Sequence, residues 1–360
     1  MNKKIVVGIS GGVDSSVAAL LLAEQGYDVE CIFMKNWEDE HGEVCTSADD
    51  YNDALQVCNI LGLPIHSVNF SKEYWDKVFT YFLSEYKAGR TPNPDVLCNR
   101  EIKFKAFLEY AMKLGSKHIA TGHYAKIECI NSQYRLLKGK DKNKDQSYFL
   151  YLLSQEPLSK SKFPLGDLGK EDVRHIAKKA GLPTANKKDS TGICFVGEKN
   201  FKQFLEKYLP ANPGEIISTD ERKVGTHSGL MYYTIGQRKG LGIGGGYSDN
   251  NDPWYVVEKD MKKNKLIVCQ GKDNPSLYSS KIIVTQLHWI TNIIPNEKQE
   301  LAAKIRYRQK DQACTVELIK NKSAIVSFNK PIFAAAAGQS IVFYKNEECL
   351  GGGIIEPYVN

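Results

Sequence analysis

Apolar residues in the first 200 positions follow two alternating patterns. Short β-branched runs predict buried strands, and longer stretches of helical pattern that each end at a glycine predict helices. The predicted strands are Ile5–Ile9, Val29–Met34, Ile65–Phe70 and His118–Thr121. The predicted helices are Val17–Gln25, Asp49–Leu61, Glu73–Ala88 and Arg100–Leu114. Strands that alternate with helices in this way indicate an α/β domain with a doubly wound parallel sheet.

Beyond about residue 205 the chain changes to short alternating runs separated by turn-forming residues. The runs that predict strands are Lys265–Cys269, Lys281–Val284, Thr315–Ile319, Ala324–Phe328 and Ser340–Tyr344. This pattern is typical of all-β structure, and we interpret it as a small β-rich domain followed by a β-barrel. The predicted domains are therefore 1–205 for the α/β domain, 206–277 for the small central domain and 278–360 for the barrel.

Composition narrows the class of protein. The chain has 360 residues, 42% of them hydrophobic, which is enough to bury real cores and argues against disorder. No apolar run approaches the ~18 residues of a spanning helix, and the N-terminus lacks a cleavage pattern, so we expect a cytoplasmic protein without a membrane partner. The net charge of +6 permits a polyanionic partner without proving one. Nine cysteines without a Cys-x-x-Cys pair argue against a disulfide framework or a zinc ribbon.

The segment 10–16, Ser-Gly-Gly-Val-Asp-Ser-Ser, joins the first predicted strand to the first predicted helix. Glycines there allow a phosphate to approach the backbone, and the free N–H groups at the helix start would hold it. Asp14 would repel a phosphate directly, so it makes sense as a ligand of Mg²⁺ between carboxylate and phosphate. The residues alone also fit an ordinary serine-capped helix.

Two cysteines lie in unusual surroundings. Pro92 and Pro94 predict an extended, stiff backbone that holds Asn93 and Asp95. Cys98 follows this segment and precedes the helix predicted to begin near Arg100. A helix start and a nearby arginine favour the nucleophilic thiolate, so we predict a reactive Cys98. Cys194 lies in a loop bracketed by glycines, which would let its sulfur reach more than one partner. Taken separately, each cysteine also fits an inert structural role.

The loop Ser-Gly-Gly-x-Asp-Ser resembles that of the ATP pyrophosphatases, which adenylate their substrates and release pyrophosphate. Together with the two cysteines, it makes the whole sequence resemble one family, the tRNA-specific 2-thiouridylases. The matching segments are 8–16, 33–37, 92–104, 120–125, 144–147, 190–201, 233–240, 306–308 and 338–340. One departure is visible, because Ala336 and Ala337 stand where the family usually has Thr-Pro.

The resemblance implies a set of functional residues. Cys194 would carry a persulfide, Cys98 would be the second catalytic sulfur and Asp95 the acid/base candidate. The implied ATP-binding positions are Gly8, Ile9, Ser10, Gly11, Gly12, Val13, Asp14, Ser15, Met34 and Gly122. The implied tRNA contacts are Asn93, Pro94, Asp95, His123, Lys144, Asp145, Gln146, Arg306, Tyr307 and Gln339.

The activity that the resemblance implies is 2-thiolation of the wobble uridine in tRNAs for Lys, Glu and Gln, with ATP and Mg²⁺. A cysteine desulfurase or a sulfur-relay protein would supply the persulfide sulfur. Two other functions stay open from the sequence. One is another enzyme of the superfamily, a 4-thiouridine or lysidine synthetase. The other is a catalytically silent protein that binds RNA or a sulfur carrier, against which the intact loop with Asp14 argues.

Overall fold

The structure is a computed structural model that describes residues 3–38, 46–189, 201–244, 252–291, 298–319 and 322–356. Cys194 and most of its predicted loop lie outside the described residues. Within the described ranges, no helix has the length and apolarity needed to cross a membrane.

The helices and strands run along the chain in the order that the sequence patterns indicate. The α-helices are α1 Val13–Glu24, α2 Thr46–Leu61, α3 Ser71–Tyr74, α4 Thr80–Lys87, α5 Pro94–Cys98, α6 Phe107–Lys113, α7 Ser147–Leu150, α8 Gln155–Ser159, α9 Lys170–Lys179 and α10 Phe201–Glu206. The strands are β1 Lys4–Ile9, β2 Asp28–Lys35, β3 Ile65–Asn69, β4 His118–Ala120, β5 Ala125–Ile130, β6 Gln133–Lys138, β7 Ser161–Lys162, β8 Gly214–Ser218, β9 Lys223–His227, β10 Trp254–Asp260, β11 Lys265–Gln270, β12 Tyr278–Trp289, β13 Gln299–Lys304, β14 Gln312–Ile319, β15 Ser323–Phe333, β16 Ser340–Lys345 and β17 Glu348–Glu356.

The N-terminal sheet is parallel and has the strand order β3-β2-β1-β4-β7. The chain builds outward from β1 to β3 and then returns to place β4 on the other side of β1. The strand order therefore reverses between β1 and β4, and ligands of open α/β sheets bind outside the carboxyl ends of strands at such a point. The phosphate loop follows β1, and Gly122 follows β4, so both reach this crevice.

The long helical segment after the two prolines differs from the prediction. It begins at Pro94, not near Arg100, because proline is favoured in the first helical position, where its missing N–H costs nothing. It runs from α5 through a π-helical stretch, Asn99–Ala106, into α6. A second π-helical stretch, Trp75–Phe79, joins α3 to α4. Such stretches are rare and often occur near functional sites.

The rest of the chain is β-rich, as predicted. A central sheet has the order β10-β11-β8-β9. The C-terminal strands form a ring, β12-β15-β14-β13-β16-β17, which the pairing of β12 with β17 closes into a barrel. The prediction of an α/β domain, a small β-rich domain and a C-terminal barrel is therefore confirmed.

One element of the N-terminal region belongs to the barrel sheet. The hairpin β5–β6 pairs with β17 through Leu136 and Leu137, an attachment that the sequence analysis missed. Beside it, Tyr148 and Tyr151 of the N-terminal region share one buried core with Tyr344 of the barrel. The barrel is thus packed firmly against the α/β domain and brings its loops to the edge of the crevice.

Candidate active site

The phosphate loop is built by close packing at its glycines. Gly11 has φ +71, and a Cβ atom there would collide with the backbone of Asp50 on α2. A Cβ on Gly122 would lie 2.7 Å from the backbone of Asp14 and Ser15, so the end of β4 presses directly on the loop. Met34 also lies beside it, because a Cβ on Gly8 would meet the Met34 methyl at 3.1 Å. The structure therefore brings the predicted ATP-binding residues together.

Hydrogen bonds from groups of the protein engage the oxygen atoms of the loop. The Ser15 hydroxyl accepts from the Ser10 amide at 3.1 Å and donates to the Gly12 carbonyl at 3.1 Å. The Lys187 ammonium donates to the Gly11 carbonyl at 3.0 Å and to Asp50 on α2 at 2.7 Å. The first N–H groups of α1 have no partner inside the helix, so an anion can bind them.

A chain of charges connects this loop to distant parts of the domain. The Lys170 ammonium donates to both Asp14 carboxylate oxygens, at 2.7 and 2.9 Å, and lies 2.7 Å from Asp189. Asp189 also accepts from Lys144 at 2.5 Å and from Arg174 at 3.1 Å. The sequence analysis did not identify Lys170 and Asp189 as site residues, because no local motif indicates their role.

The electrostatics of this charge network favour the ionised carboxylates. Burial raises the pKa of Asp189, but hydrogen bonds from Lys144 and Lys170 outweigh burial and bring that pKa to about 2. The Tyr124 hydroxyl donates to Asp14 at 2.7 Å, and burial together with Asp14 keeps the pKa of Tyr124 above its usual range. At neutral pH Asp189 therefore carries a full negative charge, and Tyr124 is a neutral hydrogen-bond donor to Asp14.

The chemistry of Asp14 fits a magnesium ion only together with a substrate. Among the described residues, no group of three His, Cys, Asp or Glu side chains is arranged to hold a metal. Mg²⁺ commonly takes one or two carboxylates and completes its octahedron with substrate phosphates and water. Asp14, in the first turn of α1, offers the carboxylate for such an arrangement.

Cys98 is a buried thiol, which corrects the prediction of a thiolate at a helix start. It is the last residue of α5, inside the long helical segment, and is 1% exposed. Burial raises the pKa of the Cys98 thiol to about 11, an effect that Lys103 reduces and Asp95 increases. Asp95 lies in the first turn of α5, not on an extended segment as predicted, because the helix already begins at Pro94.

His123 follows Gly122, which packs against the phosphate loop. Its ring packs at 5.7 Å from Phe104 and 5.8 Å from Phe163, and its Nδ1 shares a 2.7 Å hydrogen bond with the Thr121 hydroxyl. Burial lowers the pKa of His123 well below its usual range, and Lys103 acts in the same direction. The imidazole is therefore neutral at physiological pH and is a hydrogen-bonding group, not a cation.

A loop of the barrel holds the segment before Asp95. The Gln339 amide donates to the Thr91 carbonyl at 2.7 Å, and the Thr91 amide donates to the Ala337 carbonyl at 2.9 Å. Two residues further on, the side chain of Asn93 lies near the Tyr148 hydroxyl and acts to lower its pKa, against the larger effect of burial. The alanines at 336 and 337 leave this contact intact, so Gln339 positions the predicted base-binding segment from within the protein.

The other predicted tRNA contacts differ in their burial and in their hydrogen-bond partners within the protein. Lys144 is part of the charge network, and its carbonyl accepts a 3.2 Å hydrogen bond from the Tyr307 hydroxyl. Gln146 exchanges hydrogen bonds of 2.8 and 3.0 Å with the backbone of Tyr124. The Asp145 side chain is buried and accepts hydrogen bonds from Gly139 and Ser147, which favours a bracing role for it over direct RNA contact.

Arg306 joins the barrel to the central domain. Its guanidinium donates to the carbonyls of Ile235, at 3.1 Å, and Ala334, at 3.0 Å. It is half-buried, and each of these bonds satisfies a backbone acceptor. The structure therefore assigns Arg306 a structural contact that the sequence motif alone does not reveal.

Comparisons with protein families agree with this architecture. Residues 3–198 match the model of the tRNA methyl transferase HUP domain. Residues 202–270 match the tRNA methyl transferase PRC-barrel domain, and residues 279–355 match the aminomethyltransferase beta-barrel domain. Fold and site thus define a three-part protein of the HUP class, with a phosphate loop at the switch point of its parallel sheet.

Close relatives define the family more narrowly. The chain is 56% identical over 354 residues to the tRNA-specific 2-thiouridylase MnmA of Bacillus cytotoxicus, covering 98% of this chain and 94% of the relative. It is 59% identical over 355 residues to the MnmA of Alkaliphilus oremlandii, covering 98% and 97%. The chain belongs to the tRNA-specific 2-thiouridylase family.

Solved structures show only a distant likeness. The U34-tRNA thiolase NcsA from Methanococcus maripaludis aligns over 57% of this chain and 66% of its own, with 18% identity and a TM-score of 0.36. A likeness at this level supports no argument about function.

Proposed function

We propose that the protein is an ATP-dependent enzyme that replaces the C2 oxygen of the wobble uridine with sulfur in tRNAs for Lys, Glu and Gln. The observation that carries this proposal is full-length identity of 56% to a relative named for this reaction. It is supported by a phosphate loop packed beside Gly122 and His123, and by Cys98 and Asp95 on the adjoining helix.

The difficult part of the reaction is the leaving group. A carbonyl oxygen of uracil leaves poorly, whereas AMP leaves readily once that oxygen has attacked the α-phosphate of ATP and displaced pyrophosphate. The N–H groups of α1 would stabilise the charge that develops on the departing pyrophosphate. Asp14 would hold Mg²⁺, which supplies charge neutralisation between the phosphates when bound.

Sulfur would arrive as a persulfide on Cys194. In one route its terminal sulfur attacks C2, AMP leaves, and the Cys98 thiolate then attacks the Cys194 sulfur to release the thiolated base. In the other route Cys98 first attacks the Cys194 sulfur and releases hydrosulfide, which attacks C2. Both end in a Cys98–Cys194 disulfide that a thiol reductant must reopen. Asp95 would take the proton of the Cys98 thiol, since both lie on α5.

The RNA would reach this site from the side of the barrel. The target base has to leave its stack to enter the crevice. Asn93, Pro94 and Asp95 would meet it, with the segment held in place by Gln339. Lys144 and Tyr307 would contact the backbone beside it. A cysteine desulfurase or a sulfur-relay protein would load Cys194.

Two measurements test the proposal. Mass spectrometry of wobble nucleosides should show loss of 2-thiouridine when the gene is deleted and recovery when it is restored. With purified protein, pyrophosphate release from ATP should depend on substrate tRNA. A deletion strain that retains 2-thiouridine would contradict the proposal.

The same assays separate the alternatives. A lysidine synthetase needs no cysteine pair, so full activity of Cys98→Ser would favour that enzyme. A silent binding protein would bind tRNA without releasing pyrophosphate. Transfer of a labelled methyl group from S-adenosylmethionine to tRNA would favour the reaction that two of the matching family models are named after.

A further inference from the structure

A cavity lies behind the helical segment that carries Asp95 and Cys98. Val96, Leu97 and Arg100 line it, and these residues share one face of the helical segment. Asp95 and Cys98 lie on the opposite face, about half a turn away. The cavity, which we call the rear cavity, has a volume of about 380 Å³ and is bounded on its far side by the barrel. It is therefore separate from the site of chemistry, although both are built on the same helix.

The charges around the rear cavity are positive. Lys77, Arg100 and Lys322 all line it, and its lining residues include no aspartate or glutamate. Three carboxylates lie nearby. Glu101 pairs with Arg100 at 2.7 Å, Glu85 accepts from Arg90, and Glu356 accepts from the Thr285 hydroxyl at 3.3 Å. Lys77 comes from the α3–α4 helical segment and Lys322 from the turn before β15, so the cations stand on opposing walls.

The floor of the rear cavity combines apolar surface with hydrogen-bonding groups. The Tyr151 hydroxyl bonds to the Ser340 hydroxyl at 3.3 Å, and both residues line the cavity together with Leu287. Gln286 lies at a bulge of β12, with φ +53, and lines the cavity together with Tyr81. Bulges of this kind redirect a side chain, and residues held at positive φ cluster at functional sites.

We propose that the rear cavity binds a second nucleotide of the RNA substrate, next to the target uridine in the chain. This rests on the proposed function. Apolar walls suit the faces of a base, and the hydroxyl and amide groups suit its edges. Lys77 and Lys322 would each contact one of the two phosphates that flank that nucleotide. Both lysines are exposed at the rim, which suits a ligand that continues beyond the cavity, as a polymer does.

The position of Asn93 connects this cavity to the catalytic crevice. Asn93 lines the rear cavity and also precedes Pro94 and Asp95, the segment expected to meet the target base. An RNA chain that passes the start of α5 could therefore place one base on each side of the helix. Two neighbouring bases held apart in this way would pull the target uridine out of its stack.

The test compares two double variants of equal charge. Lys77→Gln with Lys322→Gln removes the rim lysines, whereas Lys72→Gln with Lys281→Gln removes two exposed lysines outside the cavity. Binding of substrate tRNA is measured over a range of salt concentrations. Each lost phosphate contact in a single strand should reduce the slope of log K against log salt by about 0.7, so the rim variant should lose about 1.4. The control variant should keep the wild-type slope, and ATP affinity without tRNA should stay unchanged in both.

The proposal is overturned if the rim variant and the control give the same slope. Titration with uridine 5′-monophosphate and with inorganic phosphate distinguishes a polymer from a free anion. One result would contradict the RNA proposal: the wild-type protein binds one of these two compounds, the rim variant no longer binds it, and the salt slope of tRNA binding is the same in both proteins. The cavity would then be a site for a small anion. If wild-type protein binds tRNA without thiolating it, the proposed function fails while the slope comparison still decides about the cavity.

Discussion

The ionisation of Cys98 gives the sharpest quantitative prediction. Its pKa of about 11, against an ordinary value of 9.0, follows from the burial of its side chain in the helical segment. A shift of this size corresponds to about 3 kcal/mol in favour of the neutral thiol. At pH 8 the thiolate fraction is then about one in a thousand, whereas an ordinary thiol would have about one in ten. In the free protein Cys98 should therefore be a poor nucleophile.

Alkylation by iodoacetamide measures this directly. The rate of Cys98 modification is followed by peptide mass spectrometry from pH 7 to pH 10, with circular dichroism to show that the fold persists. Because only the thiolate reacts, the rate should rise about tenfold per pH unit over the whole range. The exposed Cys129 reports the behaviour of the reagent in the same sample. Replacing Lys103 with methionine should slow the reaction, and Asp95→Asn should accelerate it, because the two side chains shift the pKa of Cys98 in opposite directions.

A plateau of the Cys98 rate at or below pH 9 would refute the reasoning, since it would show that burial does not suppress ionisation. A rate that rises sharply when tRNA and ATP are added, at constant pH, would locate the activation of this thiol in the assembled complex.

Three further predictions concern other parts of the site. Asp14→Asn should abolish AMP formation from ATP while tRNA binding persists, and unchanged AMP formation would show that the carboxylate is dispensable. Arg306→Ala should lower the stability by about 2 kcal/mol, measured by urea unfolding, because it leaves two carbonyls without a donor. Its tRNA salt slope should stay constant, and a shallower slope with unchanged stability would instead identify a phosphate contact. Cys194→Ser should carry no persulfide by intact mass after incubation with a cysteine desulfurase, whereas Cys98→Ser should load sulfur but fail in single-turnover thiolation. Persulfide found on Cys98 in the first variant would reverse the two roles.

Local patterns were sufficient for most of the fold. The strand β1 and the helix after it follow from a β-branched run and an apolar helical stretch ended by Gly26, which has the expected positive φ. The start of the helix that carries Cys98 was placed too late, because two prolines were interpreted as extended backbone when the second one begins the helix. The hairpin β5–β6 was missed because its partner β17 lies at the other end of the chain, and periodicity carries no information about such pairing.

The site shows the same division between local and distant information. The phosphate loop was evident from its glycines and serines, since its chemistry is contained in one short segment. Lys170 was not evident, because Asp14 is 156 positions away in the sequence and only the fold brings the two together. The protonation state of Cys98 could not be predicted from the sequence either, because its pKa depends on burial, which only the fold determines.

The hairpin that joins the barrel has a consequence for how the protein is made. Arg135 of β6 pairs with Glu348 of β17, 213 positions later in the chain. At roughly 5–20 residues per second, the ribosome needs about 10–40 s to deliver that partner after the hairpin has been synthesised. During this interval the edge of β6 is open, and the core that contains Tyr148 and Tyr151 lacks its barrel side. A premature stop near the C-terminus should therefore damage the α/β domain as well, and nascent chains of this protein should depend on chaperones until the last strand is released.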